Sequence, residues 1–205
     1  MLANSKLKPS SARLAAVEHG WRNLTSAGPT LTAAERVGVI AVARAAWAGG
    51  PAPAGDPMAE AAHWLAADAG GLTGSVVADF EARGLYRFRY LEVVGVVARL
   101  ANVDFYCRGI GAELPIAVAA DDGPPTGNVA AEAAMTDGWV PALGPLMAPF
   151  SLDALPDEGE ALRVIHEPMY IDMAEIGNGA YADELTKAQF EYIASRTSYL
   201  NECFY

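Results

Sequence analysis

The 205 residues carry 25 Asp and Glu against 14 Lys and Arg, a formal charge of −11 at pH 7, and 52% of them are apolar. A field of that sign repels phosphate backbones and anionic lipid surfaces, which excludes nucleic acid and membrane surface as main partners. The apolar share is ample for one or two packed cores. Alanine and leucine abound while alternating strand patterns are scarce, so the expected class is all-α. No apolar run approaches the roughly 18 residues of a spanning helix, and the first residues lack a signal-peptide core, which predicts a cytoplasmic chain.

In chain order, Ser10 or Ser11 caps a short helix through Leu14, Val17 and Trp21. Leu31-Thr32-Ala33-Ala34-Glu35 is a capping box, Thr32 with Glu35, opening a helix over 31–48. After a Gly/Pro-rich loop, Asp56-Pro57 pairs an N-cap with proline at the first helical position and predicts a helix over 57–69. Thr73 restarts helix over 73–83, and Gly84 stops it. The stretch 86–108 is apolar almost all round and is expected to be the most buried helix. Residues 116–138 are poor in large apolar side chains and rich in turn formers; they read as a linker between a first helical domain over 1–115 and a second over 139–205. A helical stripe over 157–177 contains Pro168, which predicts a kink or two short helices.

The stretch 185–205 holds the candidate chemistry. Leu185-Thr186-Lys187-Ala188-Gln189 repeats the capping-box pattern and opens a helix over 186–200. Phe190, Ile193, Ala194, Thr197 and Leu200 form one stripe expected to face a core, leaving Glu191 half-buried beside it. Glu191 and Cys203 are twelve residues apart, about 18 Å on a straight helix, so they share a site only if the chain turns near Asn201. With Asn201 as N-cap, Cys203 falls in a first helical turn, where unpaired N–H groups favour a thiolate.

Glu191, eleven residues, then Cys203, inside Ile-Ala-Ser-Arg-Thr-Ser-Tyr-Leu-Asn-Glu-Cys-Phe-Tyr, resembles the active-site segment of the alkylhydroperoxidase-D-like and carboxymuconolactone decarboxylase superfamily. Its thiol-active members run Glu, eleven residues, Cys-x-x-Cys, three residues, His. The resemblance places a second cysteine at position 206 and a histidine at 210, so the sequence reads as ending inside its own motif. It implies an all-α alkylhydroperoxidase-D-like fold and a homo-oligomer. It also implies a thiol-dependent peroxidase that takes a small-molecule hydroperoxide and an external thiol reductant. Glu191 would be the base and Cys203 the resolving thiol, and the chain to Tyr205 would be inactive. Two alternatives stand beside this: a decarboxylase-like enzyme on a small lactone acid, and a helical oligomerisation or binding module without catalysis.

A shift of 99 residues places Glu92 on Glu191, Asn102 on Asn201, Phe105 on Phe204 and Tyr106 on Tyr205. Asp104 then stands where Cys203 does, and Cys107 stands at the expected second cysteine. The first half reads as a degenerate copy: Glu92 ion-paired with its neighbours Arg89 and Arg99 or serving a proton relay, Cys107 an inert core thiol or a remnant. A structural disulfide between Cys107 and Cys203 is not expected without secretory features. His19, His63 and His166 lack metal-ligand spacing, and neither a phosphate loop nor a Gly-x-Ser-x-Gly elbow occurs, so neither metal nor cofactor is expected.

Overall fold

The computed structural model describes residues 2, 4–135, 138–144, 150–171, 173–175, 177–182 and 185–200. The chain divides into two compact units, Met1–His166 and Glu167–Tyr205.

The first unit is helical. Its α-helices are α1 (Ser11–Thr25), α2 (Ala33–Trp47), α3 (Pro57–Ala67), α4 (Gly74–Ala82), α5 (Arg87–Gly109) and α6 (Pro156–His166). Their starts follow local chemistry. Ser10 accepts from the Arg13 N–H, Asp56 from Met58 with Pro57 in the first turn, and Thr73 from Val76. At α2 the capping box is complete, with Glu35 N–H on Thr32 Oγ1 at 3.2 Å and Thr32 N–H on Glu35 Oε2 at 2.8 Å. Gly84 ends the turn after α4 at φ +101°, a conformation that side chains with a Cβ rarely adopt. Thr32→Ala should cost about 1 kcal/mol of stability in a urea titration, because the Glu35 N–H loses its side-chain acceptor.

α5 packs against α1, α2, α3 and α6, as expected for a helix apolar almost all round. Val93, Val96, Leu100 and Val103 are fully buried on it. Leu91 joins Leu152, Ala154 and Leu155 in a cluster completed by Phe88, Val94 and Leu162. Burying each such aliphatic side chain contributes roughly 1.5–3 kcal/mol, so α5 is where this unit is anchored. Between α5 and α6 the only regular structure among the described residues is a two-stranded antiparallel ribbon, β1 (Ala134–Met135) with β2 (Pro141–Ala142).

The turn-rich stretch after α5 runs along the first unit as an irregular strap. Arg44 Nη1 holds the Pro115 carbonyl at 2.8 Å, and Ala120 N–H donates to Thr25 O at 2.9 Å. Thr126 and Gly127 donate to Gly28 O and Pro29 O, and Ala130 donates to Ala154 O at 3.0 Å.

The break expected at Pro168 is found. α6 stops at His166 and short 3-10 turns follow over Glu167–Met169 and Met173–Glu175. Proline has no N–H to continue the ladder and disfavours helix in the residue before it. The second unit then carries α7 (Lys187–Leu200). Thr186 and Gln189 exchange the expected pair of bonds, Thr186 N–H to Gln189 Oε1 at 2.8 Å and Gln189 N–H to Thr186 Oγ1 at 3.4 Å.

The stripe on α7 departs from expectation. α7 has no buried residue among those described, and Ile193 and Leu200 are exposed. Phe190 alone of the stripe stacks on aromatic neighbours, Tyr170 and Tyr181, with ring centroids 6.3 and 6.2 Å away. Helical spacing makes an apolar face, but burial of that face depends on partners that other segments must supply. No described helix crosses the length and apolarity needed to span a membrane.

Candidate functional site

Glu191 sits in the first turns of α7. Its side chain is 51% exposed, but the stripe beside it forms no core, and it pairs with Lys187 Nζ at 3.0 Å across one helical turn. An exposed pair of this kind contributes little to stability. Leu185, ahead of α7, and Ala188, Gln189, Tyr192 and Ile193 on it line a shallow apolar groove. Cys203 and Asn201 lie outside the described residues, as does the expected turn at Asn201; α7 is unbroken from Lys187 to Leu200.

The corresponding residues of the first unit all stand on α5, and the structure divides them between two buried polar clusters. Glu92 is fully buried. Its Oε2 accepts three donors from the loop before α2: Thr30 N–H at 2.5 Å, Thr30 Oγ1 at 2.6 Å and Leu31 N–H at 3.0 Å. Its Oε1 faces Arg36 Nη1 at 3.4 Å, an ion-pair distance without a hydrogen bond. Burial pushes the carboxyl up from its ordinary value. Arg36 and the Thr30 hydrogen bonds pull against that, and the negative charge of Glu158 adds to it.

The neighbours expected to pair with Glu92 are engaged elsewhere. Arg89 binds Glu35 at 2.6 Å and the Thr30 carbonyl at 2.8 Å. Arg99, fully buried, donates to Glu158 Oε2 and to Asn23 Oδ1. Glu158 also takes Arg36 Nη2 at 2.9 Å. The result is a dry quartet, Arg36, Glu92, Arg99 and Glu158, drawn from α2, α5 and α6. Burial lowers the affinity of Arg99 for its proton and Glu158 raises it again. Spacing on α5 alone could not reveal this, because Arg36 and Glu158 lie 122 residues apart and nothing in their local sequence marks them as partners.

Gly28 lies directly over the quartet. A Cβ there would stand 2.1 Å from both Arg36 Nη1 and Glu92 Oε1, so the two charged groups would have to move apart in a packed interior. Gly28→Ala should therefore destabilise the first unit by about 1–3 kcal/mol, as overpacking does; thermal melts against wild type read it directly.

The second cluster holds Asp104, which is fully buried and accepts a two-pronged pair from Arg44, Nε to Oδ2 and Nη2 to Oδ1, both at 2.7 Å. Arg44 also lies over the Trp21 ring at 5.2 Å. One turn on, Cys107 is fully buried, and burial first and Asp104 second push its thiol up. A thiol so placed stays protonated and is a poor nucleophile. Glu92 and Cys107 stand on one continuous helix and serve different clusters, so they form no common reactive site.

Among the described residues no group of three or more His, Cys, Asp or Glu is arranged to hold a metal ion. No protein family, curated protein or solved structure matches the chain.

Proposed function

We propose that the protein is a thiol-dependent hydroperoxide reductase of the alkylhydroperoxidase-D-like kind, with its chemistry in the segment around Glu191 and Cys203 and with the first unit as a structural counterpart. The observation that carries the division of labour is the state of the first unit. Glu92 spends one oxygen on three loop donors and faces Arg36 with the other, while Cys107 is held as a buried neutral thiol. Glu191, at the matching position, reaches solvent and has a helix-surface contact to Lys187.

In this reading the peroxidatic thiolate is supplied from position 206. It attacks the terminal oxygen of the hydroperoxide, the O–O bond breaks, and the alkoxide leaves as the alcohol after taking a proton. Sulfur is oxidised to the sulfenic acid. The Cys203 thiolate then attacks that sulfur, hydroxide leaves as water, and a disulfide forms. A dithiol reductant returns both cysteines to thiols with two electrons. Glu191 accepts the thiol proton, through the histidine expected at 210 or a water.

The test is hydroperoxide consumption with a dithiol reductant by the product of the full reading frame. Turnover is expected when that frame supplies the cysteine at 206 and the histidine at 210, and not from a chain ending at Tyr205. A product that carries both residues and consumes no hydroperoxide rejects the proposal. A second reading, a helical oligomerisation or binding module, draws support from the exposed apolar side chains Tyr192, Ile193 and Leu200 on α7; it predicts no turnover from either form.

A further inference from the structure

The dry quartet is covered by two layers of irregular chain. The loop from Ser26 to Leu31 lies directly on it, with Gly28 against Arg36 and Glu92 and with Thr30 and Leu31 bonded to Glu92 Oε2. The strap lies on that loop through Thr126 and Gly127, which donate to the Gly28 and Pro29 carbonyls. Two side chains on α5 thus hold the loop, Glu92 at the Thr30 and Leu31 N–H groups and Arg89 at the Thr30 carbonyl, and the loop in turn holds the strap.

Within the quartet the two carboxylates are not equal. Glu158 receives both guanidinium groups, from Arg36 and Arg99, whereas Glu92 shares Arg36 at the longer distance and leaves Oε1 without a hydrogen bond. The other charged groups near Glu92 are committed. α2 turns Glu35 to Arg89, α5 directs Arg99 to Glu158, α1 offers only the neutral amide of Asn23, and Glu60 of α3 is taken by Arg83. With its second oxygen unbonded and its cation shared, Glu92 is the member of the quartet whose charge is least compensated.

We propose that Glu92 is a proton-linked latch: its carboxyl takes up a proton as the Ser26–Leu31 loop and the strap close over it, so the cover tightens in acid and loosens as pH rises. The inference concerns the first unit and is independent of the thiol chemistry above.

Closing removes Glu92 from water, and that burial pushes the carboxyl above its ordinary 4.5 despite Arg36 and Thr30. A group raised in the closed state binds its proton more tightly there than in the open state. Between 4.5 and the raised value, opening therefore releases a proton and becomes easier with each step up in pH. Two exposed carboxylates also tie the cover: Asp121 accepts from Ala27 N–H at 3.1 Å, and Asp157 accepts from Thr126 Oγ1 and Asn128 Nδ2.

Native-state hydrogen exchange of the Thr30, Leu31, Thr126 and Gly127 amides reads the latch. After correction for intrinsic rates, their protection should fall as pH rises above 4.5, by up to about tenfold per pH unit, and then level off. They should open more readily than amides in the middle of α5. In Glu92→Gln the side-chain oxygen still accepts from Thr30 and Leu31 but no longer titrates, so protection should be flat over the same window. Should that variant fail to fold, a carbon-detected titration of the Glu92 carboxyl in the unaltered protein gives the same answer: a midpoint above 4.5 is expected. Protection that rises with pH, or an unchanged slope in Glu92→Gln, overturns the proposal. So does a Glu92 midpoint at or below 4.5, or loop amides that open only together with α5.

Discussion

Glu158→Ala is expected to be the most damaging single substitution in the first unit, lowering its stability by roughly 3–5 kcal/mol. Glu158 is fully buried and is the shared acceptor of Arg36 and Arg99, themselves 1% and 0% exposed. Removing it strands two guanidinium groups in a dry interior. Glu92 faces only one of them, and at 3.4 Å; Asn23 offers an uncharged oxygen to Arg99 and a long 3.4 Å contact to Arg36. For a unit of this size each kcal/mol shifts the melting temperature by about 2–4 °C, so calorimetry should register a large drop. Glu158→Gln should lose less, since its amide oxygen still accepts from one guanidinium while the side chain keeps its volume. A Glu158→Ala protein that melts within a degree or two of wild type would show that the quartet contributes nothing to the fold.

In a chain that carries the cysteine expected at 206 and the histidine expected at 210, Cys203→Ser should abolish hydroperoxide turnover with a dithiol reductant, because the sulfenic acid on the neighbouring cysteine can no longer be resolved as a disulfide. One equivalent of hydroperoxide should still be consumed before the protein stalls. Glu191→Gln should slow the reaction by about 10²–10⁴-fold without unfolding the protein, since the amide keeps the shape but takes no proton. Cys107→Ser should retain turnover; its thiol is buried and kept neutral by burial and by Asp104. Steady-state rates on the three variants decide the matter. Full activity in Cys203→Ser would remove the dithiol cycle, and loss confined to Cys107→Ser would move the chemistry to the first unit.

What could be read from the sequence alone was set by neighbours in the chain. The capping boxes at Thr32 and Thr186, the Asp56-Pro57 start, the stop at Gly84 and the break before Pro168 each depend on groups within a few residues of one another. The burial of α5 was legible for a related reason: a helix apolar on nearly every side has no face to give to water. The partners of the charged residues were not legible. Arg89 and Arg99 are near Glu92 in sequence, yet Arg36 reaches it, because the loop before α2 and the start of α6 converge on the same stretch of α5. The stripe on α7 makes the same point from the other side. Its spacing was helical, as read, but Ile193 and Leu200 stay exposed, since an apolar face becomes a core only where a distant segment packs against it. Helix ends are decided by short-range hydrogen bonds. Which carboxylate meets which guanidinium, and which apolar face is buried, is decided by long-range packing, where a dry interior makes each unpaired charge too costly to leave without a partner.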